Sequence, residues 1–240
     1  MTTIPRMSHA EIQARAAAKE KLVVEFLASG EVYTSPAILG ALLGLHPRRA
    51  HDLVQRLVRD GLLATERLGP KLLLVGITPM GLAYSEHPAA VRCPRFEPGR
   101  QSPQFIEHHL DTQRARLQAE ALGWTWEAGK VLYGRGWNKV PDALAISPAG
   151  ERLAIEIERT IKTGLRYSQI IPAALRDIKV GRYDRVQYLS PQGRADAVAR
   201  ALRRVEAVKV GGENVRLTDA HWARFAFANL ADWPTAGAST

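Results

Sequence analysis

The stretch KVPDALAISPAGERLAIEIERTIKTGLRYSQII, Lys139 to Ile171, places acidic residues inside two apolar segments. VPDALAI and RLAIEIE are rich in apolar and β-branched residues and are separated by the turn SPAGE, which predicts a β-hairpin. Asp142 lies at the start of the first strand, and Glu156 and Glu158 lie two apart on the second, where alternate residues share one face. Three carboxylates at one sheet edge repel one another, so a bound cation is the natural compensation. Their oxygen ligands select Mg²⁺ or Mn²⁺.

The pattern around this hairpin predicts an α/β sandwich with one mixed central sheet. Residues 105–121 have apolar residues at helical spacing and no Gly or Pro, which predicts a helix. WTWEAG and KVLYG are each predicted to be a short strand, so that with the two strands of the hairpin four strands are expected. Residues 160–180 are predicted to be helical and DRVQYLS to be a buried strand. PQGRADAVARALRRVEAV predicts a basic helix with Pro191 near its start, and two short strands are expected around Val208 and Val215.

The N-terminal half predicts three helices followed by a hairpin. Ser8 can cap the first helix, Ser35 can cap a second that ends at Gly44, and Pro47 begins a third. LLATERLG and KLLLVGIT predict two strands joined by a Gly-Pro turn, and TPMGLAYSE predicts a further helix start. The predicted apolar face of the first helix, which runs to Gly30, comprises Ile12, Leu22, Val23, Phe26 and Leu27.

A proline-rich segment divides the chain. HPAAVRCPRFEPGRQSPQ carries no helical or alternating period, which indicates a linker over residues 87–104. The expected organisation is a first domain over residues 1–86, a second over 105–232, and a flexible tail over 233–240.

Charge is the most informative feature of the composition. The chain has 33 Lys and Arg against 24 Asp and Glu, a formal net charge of +9, which favours polyanionic partners and nucleic acid above all. One cysteine excludes an internal disulfide, and no apolar run approaches the about 18 residues of a membrane span. With no secretory signal visible, we expect a soluble cytoplasmic protein without membrane contact.

The N-terminal order resembles a winged helix-turn-helix, and DGLLATERLGPKLLLVGITPMGLAY matches the third helix, wing and closing helix of that family. The resemblance implies that the third helix enters the major groove of duplex DNA while the wing contacts the backbone. The residues that would face DNA are Arg48, Arg49, His51 and Arg56 on the helix, and Arg67 and Lys71 on the wing. The alternative is that these are ordinary solvated charges on a module for protein contacts.

VPDALAI followed by AIEIERT resembles the PD-(D/E)XK nuclease core, also called the restriction-endonuclease-like fold. Asp142 matches the first signature position and Glu156 the second. The usual lysine two residues later is replaced by Glu158, and Lys162 lies four residues further on, where divergent members carry a displaced lysine.

A narrower resemblance joins EHHLDTQRARL, WTWEAG, VPDALAI, AIEIERTIKTGLRY and RVQYLSP to the preceding winged helix. This combination is similar to the MobC-type relaxases and related replication-relaxation proteins of mobilisable plasmids. The resemblance implies nicking of one DNA strand at a plasmid transfer origin with a divalent metal. Accessory mobilisation or coupling proteins and a homodimer are compatible with it.

The relaxase resemblance also implies roles for individual residues. Asp142, Glu156 and Glu158 would bind the metal, and Lys162 would stabilise the scissile phosphate. Positions near the same edge are His109, Asp111 and Arg166, the last as a DNA contact. Tyr167 is a candidate nucleophile if the product is a covalent phosphotyrosine.

Two classes of function stay open. The first is a metal-dependent, strand-specific DNA endonuclease. The second is a non-catalytic DNA-binding regulator of replication or transcription, on a nuclease fold that lost its chemistry through the change at Glu158. A Pro-Asp pair is common at turns and alternating acids are common on edge strands, so the residue pattern alone is compatible with solvent-facing charges. His108 and His109 are expected to be ordinary surface or half-buried histidines.

Overall fold

The computed structural model describes residues 7–70 and 72–234, which form two compact units, Met1–Gln101 and Ser102–Thr240. Lys71, one of the two wing residues, lies outside the described residues. Residues 235–240 of the expected tail also lie outside them. The two units are considered separately below.

The first unit contains short helices and a small antiparallel sheet. Its elements are α1 (His9–Phe26), β1 (Tyr33–Thr34), α2 (Pro36–Leu43), α3 (Pro47–Arg59), β2 (Leu63–Leu68), β3 (Leu72–Ile77) and α4 (Pro79–Tyr84). The strands lie in the order β1-β3-β2, with β2 and β3 paired from Leu63↔Ile77 to Leu68↔Leu72. The predicted order of helix, helix, helix and hairpin is confirmed at the level of these elements.

The helix ends of this unit follow local sequence rules. Ser8 forms a reciprocal capping box with Glu11 at the start of α1, and Ser35 caps α2 by accepting from the N–H of Ile38. Gly44 ends α2 with a φ of 59°, a left-handed conformation that glycine adopts without strain. The capping predictions are therefore confirmed.

The predicted apolar face of α1 is only half correct. Val23, Phe26 and Leu27 are buried, but Ile12 and Leu22 are 53% and 44% exposed. The first turns of α1 extend beyond the core of the unit, so only the C-terminal part of the helix packs.

The predicted linker is largely exposed, but two of its residues, Cys93 and Phe96, are buried. Pro88–Arg92 forms a 3₁₀ turn, and Phe96 is buried, with its N–H donating to the carbonyl of Ile77 at 2.9 Å. Phe96 lies against Gly76 so closely that a Cβ there would be 2.1 Å from its ring. The segment up to Gln101 belongs to the first unit, and Phe96 packs on β3 at Gly76.

The second unit is built around one sheet. Its elements are α5 (Pro103–Glu120), β4 (Thr125–Ala128), α6 (Gly129–Leu132), β5 (Ala143–Ile146), β6 (Arg152–Ile157), α7 (Gly164–Lys179), β7 (Arg185–Ser190), α8 (Ala195–Arg203), β8 (Ala207–Val210), β9 (Glu213–Arg216), α9 (Asp219–Trp222) and β10 (Phe225–Asn229). The five-stranded sheet has the order β10-β7-β6-β5-β4. The predicted mixed α/β architecture is confirmed at this level.

The direction of the strands changes within this sheet. β4, β5 and β6 are antiparallel neighbours, whereas β6, β7 and β10 are parallel. Helix α7 connects β6 to β7, as a parallel crossover requires. α5 packs on one face through Ala115 and Ala119, and α7 and α8 pack on the other. The mixed sheet is thus covered on both faces.

Three element predictions in this unit were wrong. KVLYG was expected as a strand but forms α6, because the chain leaves β4 at Gly129, where a Cβ would lie 2.3 Å from the carbonyl oxygen of Pro141. The helix expected near Pro191 begins at Ala195 instead. β10 was not predicted, because its five residues have only a weak strand pattern in the sequence. The strand forms by pairing with β7. The two strands around Val208 and Val215 do exist, as a separate hairpin.

Within residues 7–70 and 72–234, no helix combines the length and apolar character that a bilayer crossing requires.

Candidate functional site

Two carboxylates face each other across the antiparallel pair β5 and β6. The register pairs Ala143 with Ile155, so Asp142, one residue earlier, lies opposite Glu156. The N–H of Asp142 donates to the carbonyl of Ile155 at 3.0 Å and its side chain accepts from the N–H of Ile157, so Asp142 is bonded to the residues on either side of Glu156. Like charges directly opposite on neighbouring strands are destabilising. The pair therefore needs nearby cations.

Asp142 is held from two sides. Its Oδ2 accepts a hydrogen bond from the N–H of Ile157 at 2.7 Å and lies 3.1 Å from Nε2 of His108, which is on α5. Burial alone would raise the pKa of Asp142, but the His108 hydrogen bond and charge, the Lys139 charge and the Ile157 N–H together lower it. Burial alone would lower the pKa of His108, and the contact with Asp142 and the charge of Glu156 raise it overall. The two groups thus form a hydrogen-bonded ion pair.

Lys139 supplies a cation to Glu156. Its Nζ pairs with Oε1 of Glu156, whose side chain is 14% exposed. Burial would lower the pKa of Lys139, but the charges of Glu156, Asp142 and Glu158 raise it, so the ammonium stays protonated. Burial is the main reason that the pKa of Glu156 is raised. The lysine therefore offsets a carboxylate that is costly to ionise.

Asp177 on α7 positions the loop that carries Lys139. Its Oδ1 accepts from the side-chain amide of Asn138 at 2.7 Å, and its Oδ2 accepts from the N–H of Lys139 at 3.2 Å. Nε of Arg182 lies 3.5 Å from the same carboxylate, which is fully buried. Sequence reasoning missed Asp177, because a lone acid in a helix gives no sign of a partner nearly forty residues away.

Glu158 and Lys162 form a third ion pair at the same edge. The N–H of Glu158 donates to the carbonyl of Leu189 at 2.8 Å, which continues the pairing of β6 with β7, and its side chain is only 2% exposed. Nζ of Lys162 contacts Oε2 of Glu158. Burial raises the pKa of Glu158 more than the Lys162 contact lowers it. The residue in the usual lysine position is thus itself paired with the displaced lysine.

The structure brings together most of the acidic and basic residues that the sequence singled out for this edge. The charges of Asp142 and Lys139 both act on Glu158, and those of Asp142 and Lys162 both act on Glu156. The cluster of His108, Lys139, Asp142, Glu156, Glu158 and Lys162 is called the carboxylate cluster below. Lys139 and His108 were not predicted members.

Two residues expected near this edge have other partners. The ring of His109 lies 3.0 Å from the Gln113 side chain, and the neighbouring His108 is the histidine that reaches Asp142. The buried Asp111 pairs with Arg114 and Arg159. His108 rather than His109 contacts Asp142 because successive residues of a helix face different directions.

Tyr167 and Arg166 lie on the first turn of α7 in contrasting environments. The Tyr167 ring is fully buried in the core, its hydroxyl accepts from the N–H of Lys162 at 3.1 Å, and burial raises its pKa to about 12. A buried, protonated phenol is a poor nucleophile. Arg166 is exposed, and its guanidinium contacts Gln169 at 3.4 Å. Arg166 is therefore available to a ligand, whereas Tyr167 packs the core and braces Lys162.

The donor set of the carboxylate cluster suits a hard divalent cation. Asp142, Glu156 and Glu158 provide oxygen ligands of the type that Mg²⁺ and Mn²⁺ prefer. Across residues 7–70 and 72–234, no three acidic, histidine or cysteine side chains already converge on a common point as metal ligands do. Lys139 contacts Glu156 and Lys162 contacts Glu158, and a bound metal would replace these lysine contacts. The residues thus fit a metal by chemistry, and binding requires their side chains to rearrange.

The first unit presents a basic surface on α3. Leu53, Val54 and Leu57 are buried, while Arg48, Arg49 and His51 are exposed on the outer side. Arg67 is exposed on β2. Arg56 is half-buried and pairs with Glu20 of α1 at 2.6 Å, so it is less free to contact a ligand than the other two arginines.

Comparisons of the chain with protein-family models, with curated proteins and with solved structures find no match.

Proposed function

We propose that this protein is a metal-dependent DNA endonuclease that binds duplex DNA and nicks one strand. The observation that carries the proposal is the carboxylate cluster, in which Asp142 lies opposite Glu156 and two lysines contact Glu156 and Glu158. Acids and lysines at one sheet edge, in a chain of net charge +9, suit the cleavage of a phosphodiester.

The order of the elements supports this proposal. Three antiparallel strands, a crossover helix and a parallel strand, with the acids on the second and third strands, agree with the PD-(D/E)XK resemblance. Three helices followed by the hairpin of β2 and β3 agree with a winged helix, in which Arg48 and Arg49 would contact DNA.

The side chains of the cluster suggest a division of roles. Asp142 and Glu156 would hold a divalent cation, with Glu158 as a further ligand or a positioner of water. The cation would polarise the phosphoryl oxygen and lower the pKa of a bound water. Lys162, and Lys139 once released from Glu156, would offset charge on the phosphate oxygens. The burial of Tyr167 favours water over a tyrosine as the nucleophile.

By the relaxase resemblance, the proposed substrate is a plasmid transfer origin, with Mg²⁺ or Mn²⁺ as cofactor and the cytoplasm as location. Accessory mobilisation or coupling proteins and a second copy of this chain are the proposed protein partners.

The test compares two glutamates of the same hairpin. Supercoiled plasmid carrying the DNA that neighbours the gene is incubated with the wild type, Glu156→Gln or Glu151→Gln, with Mg²⁺, Mn²⁺ or chelator. Glu151 pairs with Arg185 away from the cluster and is the matched control. We expect metal-dependent open circles for the wild type and the control and at least about 100-fold less for Glu156→Gln. Equal nicking by both variants would exclude the carboxylate cluster as the active site.

One observation favours a second candidate, a DNA-binding regulator without catalysis. Lys139 and Lys162 already compensate Glu156 and Glu158, so the cluster can persist as a network of ion pairs without metal. If this function is correct, the wild type binds the same DNA but yields no open circles with either metal.

A further inference from the structure

Tyr188 lies beside Glu156, on the next strand of the sheet. In the register of the parallel strands, Glu156 on β6 is the partner of Tyr188 on β7, and Tyr188 is the partner of Phe227 on β10. The ring of Tyr188 stacks on Phe227, with centroids 5.5 Å apart and planes inclined by 15°. Tyr188 is therefore the immediate neighbour of Glu156 in a row that runs across three strands.

The hydroxyl of Tyr188 has no hydrogen-bond partner among the described residues, although the side chain is only 3% exposed. Two other tyrosines of the same core are satisfied: Tyr183 donates to the carbonyl of Ala174 at 3.3 Å, and Tyr167 accepts from the N–H of Lys162. A buried hydroxyl without a partner costs stability, and phenylalanine would fill the same space without that cost. The oxygen thus has no use in the packing of the core.

The charges around Tyr188 keep its proton in place. Burial, followed by the negative charges of Glu156 and Glu158, raises the pKa of Tyr188 well above its ordinary value. A phenol that stays protonated can donate a hydrogen bond, and Glu156 on the adjacent strand carries an acceptor of the required type. The Glu156 carboxylate is held by Lys139 through Oε1.

We propose that Tyr188 is a positioning residue for Glu156 in the metal-bound site. When Lys139 leaves Glu156, the Tyr188 hydroxyl donates a hydrogen bond to the Glu156 carboxylate and orients it toward the cation. Outer residues that hydrogen-bond to metal ligands in this way tune the affinity of the site. The proposal rests on the proposed function, because it requires a divalent cation at the carboxylate cluster.

The test is a titration of the full-length metal-free protein with Mn²⁺, followed by calorimetry, together with the melting temperature without metal. The variants are Tyr188→Phe and the matched control Tyr183→Phe, with Asp142→Asn to identify binding at the cluster. We expect Tyr188→Phe to bind Mn²⁺ about 10-fold more weakly, while its metal-free melting temperature is unchanged or higher. We expect the opposite for Tyr183→Phe, with unchanged affinity and a lower melting temperature, since it loses the bond to Ala174.

The outcomes separate the two proposals. If the wild type binds Mn²⁺ at the cluster and Tyr188→Phe binds it equally well, the role of Tyr188 is refuted and the proposed function is untouched. A drop in the metal-free melting temperature of Tyr188→Phe, as in Tyr183→Phe, would show a structural role and would also refute it. If the wild type has no binding that Asp142→Asn removes, both proposals fail together.

Discussion

At the scale of single residues, the charges of the carboxylate cluster are balanced in pairs. His108 contacts Asp142, Lys139 contacts Glu156, and Lys162 contacts Glu158. Burial opposes the ionisation of each acid, so each pair depends on the protonation of its cation. Histidine is the side chain whose ordinary pKa lies near neutral pH.

The pairing of His108 with Asp142 predicts a pH-dependent stability. The folded pKa of His108 is raised above its ordinary value of 6.5, so the stabilisation is complete below that value and is lost as the pH rises through the folded pKa. Denaturant unfolding of the wild type and His108→Gln should therefore differ more at about pH 5.5 than at about pH 9. In an NMR titration, Asp142→Asn should lower the pKa of His108. A pKa that does not change in Asp142→Asn would contradict the ion pair.

Residue identity in the cluster was only partly predictable. Asp142, Glu156 and Glu158 could be found because strand alternation and a short turn place them near one another, whereas Lys162 was named from the nuclease resemblance. His108 was passed over in favour of His109, since a helical pattern does not fix which neighbour points at the sheet.

At the scale of elements, the hairpin of β5 and β6 carries the acids, and the loop before β5 carries Lys139. That loop is fastened to α7 by the buried carboxylate of Asp177, which accepts bonds from Asn138 and Lys139. The hairpin was predictable from alternation and the turn SPAGE. α6 was not, because the apolar residues of KVLYG suit a strand, and the close approach of Gly129 to Pro141 is visible only in three dimensions.

The fastening by Asp177 predicts a large loss of stability in Asp177→Ala. The substitution leaves the N–H donors of Asn138 and Lys139 without their acceptor and Arg182 without its carboxylate partner, and we expect the free energy of unfolding to fall by roughly 2 to 4 kcal/mol. The matched control is Asp196→Ala, at an exposed acid in the first turn of α8, which should cost much less. Denaturant unfolding measures both. Similar losses for the two variants would contradict the anchoring role of Asp177.

The exposed face of α3 predicts the salt dependence of DNA binding. Each arginine that contacts a phosphate contributes about one unit to the slope of log K against log salt concentration. The double change Arg48→Ala and Arg49→Ala should therefore weaken duplex binding and lower the slope by about two. Arg92→Ala removes an exposed arginine from the 3₁₀ turn of the same unit and is the control. Equal losses in both variants would indicate attraction to net charge alone.

At the scale of the whole molecule, the two units would have different tasks in the proposed reaction. The basic surface of α3 would bind the duplex, and the carboxylate cluster of the second unit would cut it. Composition predicts an attraction to polyanions, because a net charge of +9 is a property of the whole chain. Whether the acids act as metal ligands depends on how Lys139 and Lys162 release them, which no sequence pattern expresses.

The most direct test of the central claim measures binding and cutting by Asp142→Asn on the same plasmid. We predict that this variant binds the duplex within about 2-fold of the wild type, while metal-dependent nicking falls by at least about 100-fold. A wild type that binds the plasmid but leaves it supercoiled with Mg²⁺ and Mn²⁺, or an Asp142→Asn variant that nicks as fast as the wild type, would contradict the account.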